Sequence, residues 1–177
     1  VEERCARLAR FGDSLYLLQP DLKEGEGGLH DWQTLCWVAF ALAPERSSQE
    51  AVRALILDSE WQTLMRALRF LWSARHALNL VSVGGGDRLL ETVQEDVAQQ
   101  LGYQAAHGNS AAERLMSDYY CHAEQVRTLA ERGIELVRRK LMPASKSQRL
   151  LARMRVGSRV RQTPYGTLEI AGKGRLS

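Results

Sequence analysis

The chain of 177 residues is long enough for one ordinary domain with a hydrophobic core, and its hydrophobic content of 45% is typical of a folded protein rather than a disordered one. Its three cysteines (Cys5, Cys36 and Cys121) are widely spaced and lack C-x-x-C spacing, which speaks against zinc or a disulfide framework, favours the cytoplasm and predicts packing thiols. The formal charge is +3, and the longest uncharged run, residues 32–44, is too short to cross a bilayer, so we expect no membrane segment.

The beginning of the chain is predicted to form a short helix and a strand. Residues 1–11 have apolar positions on one side of a helix, and Gly12-Asp13 ends it. Residues 14–19 (S-L-Y-L-L-Q) are rich enough in apolar and aromatic side chains for a strand, and Pro20 ends it because proline cannot donate to a ladder. Because the first residue is Val1 rather than methionine, we expect the chain to be cut from a longer protein.

A glycine loop, residues 23–28 (K-E-G-E-G-G), precedes a predicted helix over residues 29–42. Glycines let a backbone approach a ligand, a helix N-terminus presents free N–H groups, and Lys23 could reach a phosphate. Against this, the loop lacks the G-K-[ST] ending of a P-loop, and Glu24 and Glu26 disfavour a bare anion site. Phosphate contact and a purely structural turn both remain open. Asp31 falls in the first turn, where its charge complements the helix dipole.

The middle of the chain predicts an antiparallel helical bundle of four to five helices, so the fold class is mainly α. A short helix runs from Ser48 to about Leu57, and a long one covers about residues 59–81. The run Gly84-Gly85-Gly86 breaks the long helix, and Asp87 is predicted to cap the next one. The longest helix follows an a/d rhythm over about residues 110–142 and ends before Pro143.

The last part of the chain is strongly basic. From Arg138 onward there are eleven basic residues and one acid, Glu169, a formal charge of +10, whereas the rest of the chain carries −7. Residues 156–160 and 167–171, joined around Pro164-Tyr165-Gly166, predict a β-hairpin. A basic tail can bind nucleic acid, but a solvated connector that docks on acidic helices of its own protein is favoured, so nucleic acid is an unexpected partner.

No group of residues in the sequence predicts a catalytic or metal site. An HD-type phosphohydrolase needs a histidine upstream of its H-D pair, and none precedes His30-Asp31. The other three histidines have no metal-ligand spacing, and none of the cysteines lies on a strained turn next to a base. We therefore expect neither a catalytic residue nor a metal ligand in this chain.

Several separated motifs resemble those of the PII-uridylyltransferase/uridylyl-removing enzymes, the bacterial nitrogen sensors. Residues 20–34 (P-D-L-K-E-G-E-G-G-L-H-D-W-Q-T) match the family pattern P-[ND]-x-K-x-x-x-G-G-L-R-D-x-Q-T. The match continues in order with F-L-W-S-A-R-H-A-L-N-L (70–80), D-R-L-L (87–90), L-G-Y (101–103) and M-S-D-Y-Y (116–120). A related motif occurs in the glutamine-synthetase adenylyltransferases, so the stretch is also similar to the wider nucleotidyltransferase group.

The resemblance implies a place in a larger enzyme that transfers a uridylyl group from UTP to a tyrosine of PII with Mg²⁺. Its partners would be an N-terminal nucleotidyltransferase domain and C-terminal HD and ACT domains. Residues 1–31 would end the nucleotidyltransferase region with the glycine loop as connector, 32–142 would be the bundle, and 143–177 the tail. The G-S-x-x-R-x-D-x-D metal-binding signature, the HD residues and the ACT domains do not occur in this sequence, and position 30 is His where the family usually has Arg.

These matches predict a helical substrate-binding and interdomain module without catalytic activity of its own. The resemblance implies that the nucleotide cleft is bordered by five residues of the loop motif: Lys23, Gly27, Gly28, His30 and Asp31. An internal polar network would brace the bundle: Arg75, Asp87 and Arg88. The alternative is a non-catalytic protein-interaction module of a degenerate homologue.

Overall fold

A computed structural model describes residues 2–11, 15–82 and 85–141, together with two short strand segments at 160–162 and 168–170. It divides the chain into a first unit, Val1–Val137, and a second unit, Arg138–Ser177. The described residues form six α-helices: α1 (Glu2–Phe11), α2 (Leu29–Leu42), α3 (Ser48–Arg53), α4 (Asp58–Val81), α5 (Glu91–Gln100) and α6 (Ala111–Leu141). The mainly helical class is confirmed, with one helix more than the four to five predicted.

The bundle core is built from the apolar faces of the two long helices. On α4, buried residues recur at three- and four-residue steps, as an amphipathic helix requires: Leu64, Ala67, Leu68, Leu71, Ala74, Ala77 and Leu78. They pack in one cluster with buried residues of α6, among them Leu115, Tyr119 and Val126. Trp72, in the same helix, is 43% exposed. No helix among the described residues is long and apolar enough to cross a membrane.

The strand predicted over residues 14–19 is wrong. Residues 15–19 form turns and bends, and Leu18 is 78% exposed. The carbonyls of this segment bond to side chains instead of a ladder: the Tyr120 hydroxyl donates to Leu17 O at 3.1 Å, and Gln94 Nε2 donates to Leu18 O at 2.7 Å. Only Leu15 of this irregular segment is buried in the core, whereas Tyr16 and Leu18 are exposed.

Two further predictions, the Asp87 helix cap and the three packing thiols, are wrong in the first unit. Asp87 does not cap a helix, since α5 begins only at Glu91. The cysteines are not all packing thiols, because Cys5 and Cys121 are exposed. Cys36 is half-buried, and burial raises the pKa of its thiol to about 12, so it stays protonated at neutral pH.

In the second unit, β1 (Val160–Gln162) and β2 (Leu168–Ile170) pair antiparallel, with Val160 opposite Ile170. The hairpin is not seen as predicted. Its first strand was placed at residues 156–160, which overlaps β1 only at Val160. The rest of that predicted strand and the connecting residues 163–167 lie outside the described residues.

Candidate functional site

The glycine loop is a closed turn that uses its own backbone donors. The N–H of Gly28 donates to Gly25 O at 3.0 Å, that of Leu29 to Leu22 O at 3.1 Å, and that of His30 to Lys23 O at 2.9 Å. Free N–H groups were expected at the start of α2, and this expectation is wrong at these positions. The loop carbonyls occupy the donors that a phosphate would need.

Asp21 fixes the entry into the loop. Its Oδ1 accepts hydrogen bonds from the N–H of Lys23 at 3.0 Å and from that of Glu24 at 2.7 Å. The N–H of Gly25 donates to Asp21 O at 3.0 Å. An aspartate that bonds the backbone two and three residues ahead stabilises a turn locally, so the loop's conformation is set before any ligand binds.

Asp31 is the centre of a buried cluster that also contains Arg4, Arg7 and the Gly27 amide; we call it the Asp31 cluster. Arg4 Nε lies 2.8 Å from Oδ1 and Arg4 Nη2 2.9 Å from Oδ2, which is a bidentate pair. Arg7 Nη2 donates to Oδ1 at 2.7 Å, and the Gly27 N–H donates to Oδ2 at 3.0 Å. Asp31 is completely buried. The cluster joins α1, the glycine loop and α2.

The charge state of Asp31 follows from these neighbours. Burial by itself would raise the pKa of this carboxyl. The hydrogen bonds and charges of Arg4 and Arg7 and the Gly27 amide outweigh burial and hold the pKa below its ordinary value. Asp31 is therefore ionised at neutral pH. In addition to complementing the helix dipole, as its position predicts, it neutralises two buried guanidinium groups.

The carboxylate of Glu24 contacts both Lys23 and His30. Lys23 Nζ lies 3.2 Å from Glu24 Oε1, and His30 Nδ1 lies 2.6 Å from Oε2. The backbone carbonyl of Glu24 accepts a hydrogen bond from Arg7 Nη1 at 2.6 Å. The Lys23 side chain is 38% exposed, so its ammonium remains accessible from solvent. Lys23 and His30 thus share the carboxylate of Glu24, whose Oε2 also lies 4.0 Å from Arg7 Nε of the Asp31 cluster.

The loop glycines are required by space. A Cβ added to Gly25 would lie 2.6 Å from Asp21 O, and one added to Gly28 would lie 2.8 Å from Lys23 O. At Gly27, where φ is +71°, an added Cβ would collide with the backbone of Ala123 in α6. The loop therefore packs directly against the main chain of α6.

The second predicted group lies elsewhere in the bundle. Arg75 Nε is 2.5 Å from Asp87 Oδ1, and Arg75 Nη2 is 3.3 Å from Oδ2. Arg88 Nε donates to Gln19 O at 3.3 Å. Two backbone bonds, Leu22 N to Asp87 O and Leu89 N to Pro20 O, both 2.8 Å long, join these residues to the segment that enters the loop.

Three further residues of these contacts were not predicted from the sequence: Arg4, Arg7 and Gln94. Arg4 and Arg7 are three residues apart in a helix, which places them on one face, and this spacing was the available signal. Gln94, in α5, is buried and donates to Leu18 O and Leu89 O. Nothing in the local sequence distinguishes it from the exposed glutamines Gln99 and Gln100.

The residues that the structure describes can contact an anion but do not form a metal site. No three His, Cys, Asp or Glu side chains in the described part of the chain lie close enough together to hold a metal, so Mg²⁺ finds no ligand set there. A nucleotide phosphate would meet the Lys23 ammonium and His30, whereas the backbone donors named above are already bonded. The site therefore consists of the buried Asp31 cluster and, at the loop surface, the accessible ammonium of Lys23.

Comparison with known proteins identifies the family. The model of the family described as GlnD PII-uridylyltransferase matches residues 1–134. Bifunctional uridylyltransferase/uridylyl-removing enzymes of Bradyrhizobium sp. (strain BTAi1 / ATCC BAA-1182) and Nitrobacter hamburgensis are 34% and 33% identical to the chain over its whole length. The enzyme of Cereibacter sphaeroides is 39% identical over 71% of the chain.

The chain spans only 19% of the length of the Bradyrhizobium and Nitrobacter relatives and 14% of that of the Cereibacter relative. No solved structure matches it significantly. The family match covers α1 to α5 and most of α6, and thus both the Asp31 cluster and the glycine loop. The chain therefore belongs to the PII-uridylyltransferase family.

Proposed function

We propose that this chain is the helical substrate-binding and interdomain module of a longer cytoplasmic enzyme that uridylylates the PII signal protein. UTP and Mg²⁺ would be handled by the carboxylates of a nucleotidyltransferase domain that precedes it, and the uridylyl group would be removed by a separate HD domain. The names of the relatives and the 19% of their length that the chain spans support this assignment.

The observation that carries the proposal is the Asp31 cluster. Two arginines of α1, the Gly27 amide and the first turn of α2 meet at one buried carboxylate. These contacts fix α1, the glycine loop and α2 to one another, and together they would form the surface that a preceding domain contacts. In this assignment Asp31, Gly27 and Gly28 are positioning residues, whereas Lys23 and His30 face the nucleotide cleft.

Lys23 is the group best placed to contact a phosphate. Its ammonium is accessible, and its 3.2 Å contact with Glu24 is a partly exposed ion pair, which a more highly charged anion can replace at small cost. His30 Nδ1 bonds to the same carboxylate and would hold Glu24 when Lys23 turns to the nucleotide. Because histidine occupies the position where the family motif usually has arginine, the cleft would receive a weaker charge there.

The first experiment is to sequence the coding region upstream of Val1. We expect the G-S-x-x-R-x-D-x-D signature there, in frame with this chain. Its absence would favour the alternative, a non-catalytic protein-interaction module of a degenerate homologue. The 177-residue chain alone should not transfer a uridylyl group to PII, and transfer by this chain would contradict the division of labour proposed here.

The second experiment tests Lys23 in the full-length protein. We expect Lys23→Gln to lower kcat/KM for PII uridylylation by at least about tenfold, because a charge-assisted contact to the nucleotide is lost. Lys23→Arg keeps the charge and should retain most of the activity. Equal activity of the wild type and Lys23→Gln would remove Lys23 from the nucleotide cleft. Circular dichroism of both variants controls for folding.

A further inference from the structure

A second cationic site lies on the bundle, away from the glycine loop. It is a cavity of about 430 Å³ lined by residues of α4, by residues just after α5 and by His122 of α6. We call it the α4 cavity. Its volume is within the range of small-molecule sites. No carboxylate is among its lining residues in the described part of the chain, and its principal side chains are Arg66, Arg69, Phe70, Ser73, Tyr103 and His122.

The two arginines of the α4 cavity lack carboxylate partners. Arg69 makes no side-chain hydrogen bond or ion pair with the described residues, and Arg66 donates only to the Thr63 hydroxyl, at 3.2 Å. No acid stands three or four residues from either of them in the sequence. In contrast, Arg127 and Arg132 of α6 are paired with glutamates. Arg66 and Arg69 therefore form an uncompensated positive pair on one face of α4.

His122 adds an unsatisfied polar atom to the same cavity. Its Nδ1 is buried and has no hydrogen-bond partner among the described residues. The imidazole packs against the Phe70 ring, with 4.6 Å between the ring centroids. Buried polar atoms without partners are uncommon in folded proteins and require an explanation. One explanation is that His122 Nδ1 bonds to a polar group of a ligand in the α4 cavity. The two neighbouring arginines without carboxylate partners support the same explanation independently.

The rest of the wall is suited to a flat ring. Phe70 and Tyr103 supply aromatic surface next to the cationic side chains. The Tyr103 hydroxyl donates a hydrogen bond to Asp118 Oδ2 at 2.6 Å, so the Asp118 carboxylate already has a partner in the wall of the cavity. Ser73, one turn beyond Arg69 on the same face, supplies a hydroxyl donor.

We propose that the α4 cavity binds a nucleoside monophosphate, in which a sugar links a phosphate monoester to an aromatic base. The guanidinium groups of Arg66 and Arg69 hold the phosphate, because planar guanidinium donors match phosphate oxygens. The Ser73 hydroxyl and His122 Nδ1 provide further hydrogen bonds, and the aromatic wall contacts the base. This site goes beyond the proposed transferase function and shares no residue with the glycine loop.

The test is isothermal titration calorimetry of the 177-residue chain with four probes: UMP, AMP, inorganic phosphate and uridine. We expect saturable binding of both nucleotides, weaker binding of phosphate and no measurable binding of uridine. The double variant Arg66→Gln/Arg69→Gln should bind the nucleotides at least tenfold more weakly. His122→Phe should bind them several-fold more weakly, since it keeps the ring and removes Nδ1.

A matched control carries the same loss of charge elsewhere. Arg46 and Arg53 are exposed and lie outside the α4 cavity, so Arg46→Gln/Arg53→Gln should leave the nucleotide affinity within twofold of wild type. Equal losses in the two double variants would overturn the proposal in favour of a general charge effect. Absence of saturable binding to the wild type at millimolar nucleotide would also overturn it, and so would phosphate binding as tight as that of the nucleotides.

Discussion

The chain contains two short glycine-rich runs that serve different physical purposes. In the first, residues 25–28, added Cβ atoms at Gly25, Gly27 and Gly28 would meet backbone atoms of the loop or of α6. In the second, residues 84–86, Gly85 and Gly86 have positive φ angles, but nothing lies within 4 Å of an added Cβ. The first run is required because the backbone is crowded, and the second because the backbone turns in open space.

The difference shows why a glycine-rich sequence alone does not identify a ligand site. Both runs lie next to a helix, and neither has the G-K-[ST] ending of a P-loop. Only the surroundings distinguish them. The first run is closed on Asp21, Asp31 and α6, which makes it a structural corner, whereas Gly85 and Gly86 of the second run have no atom within 4 Å of an added Cβ.

The largest expected effect comes from Gly27→Ala. The new methyl group would collide with the Ala123 backbone, and φ at this position is +71°. Overpacking and left-handed strain together predict a loss of about 5 kcal/mol in the free energy of unfolding. Urea denaturation followed by circular dichroism measures it. A loss as small as that of Gly85→Ala would show that the corner is not crowded and would erase the contrast between the two runs.

Asp31→Asn should have the next largest effect. The substitution leaves Arg4 and Arg7 buried with an uncharged partner, at a cost of about 3 kcal/mol in the free energy of unfolding. The matched control is Asp58→Asn, whose carboxylate is exposed and forms only a 3.6 Å contact with Arg53. That change should stay within about 0.5 kcal/mol of wild type. Similar losses in both variants would contradict the importance of the Asp31 cluster.

The Asp31 carboxyl also predicts that the stability of the fold decreases at acidic pH. The pKa of Asp31 is lowered in the folded protein, so its stabilisation is complete above the unfolded-state pKa and is lost as the pH falls through the folded-state value. Burial raises the pKa of Glu26, so the effect of this group on the pH dependence of stability is opposite to that of Asp31. Ionisation of Glu26 opposes folding, and its protonation at acidic pH removes that cost. Unfolding free energies measured from neutral to acidic pH should fall less steeply in Asp31→Asn than in wild type. A parallel decline in both proteins would contradict the assignment.

Arg75→Gln tests the bracing pair of the bundle. Arg75 and Asp87 are partly exposed, so solvent screens their interaction and a loss of about 1.5 kcal/mol is expected, about half of that for Asp31→Asn. Thermal unfolding of both variants under the same conditions provides the comparison. If Arg75→Gln were the more damaging of the two, the pair that joins α4 to the segment before α5 would be the dominant polar contact.

The smallest effect is expected for Gly85→Ala. Its Cβ meets no neighbour, so only the left-handed backbone angle opposes the change, at about 1 kcal/mol. Gly85→Asn is the refinement, because asparagine tolerates this conformation better than alanine. It should recover part of the loss. If Gly85→Asn were as unstable as Gly85→Ala, factors other than the φ angle would control this turn.

Local patterns were sufficient to predict most of the helical framework. The periodic apolar residues of α4 and the glycine before α2 placed both helices close to their observed bounds, Asp58–Val81 and Leu29–Leu42. The segment 15–19 shows the limit of this reasoning. Its composition is that of a strand, but Tyr120 and Gln94, at separations of 103 and 76 residues, take its carbonyls. The composition of a short segment cannot predict hydrogen bonds to residues so distant in the sequence.

The candidate site divides in the same way. The motif from Pro20 to Thr34 established the family resemblance and singled out Lys23 and Asp31, because motif spacing is a property of the sequence. Tertiary structure alone decided that Asp31 is completely buried between Arg4 and Arg7, up to 27 residues away, and that the loop donors are already bonded. The reason is that burial and pairing depend on which helices meet, whereas periodicity and turn chemistry are set by neighbouring residues.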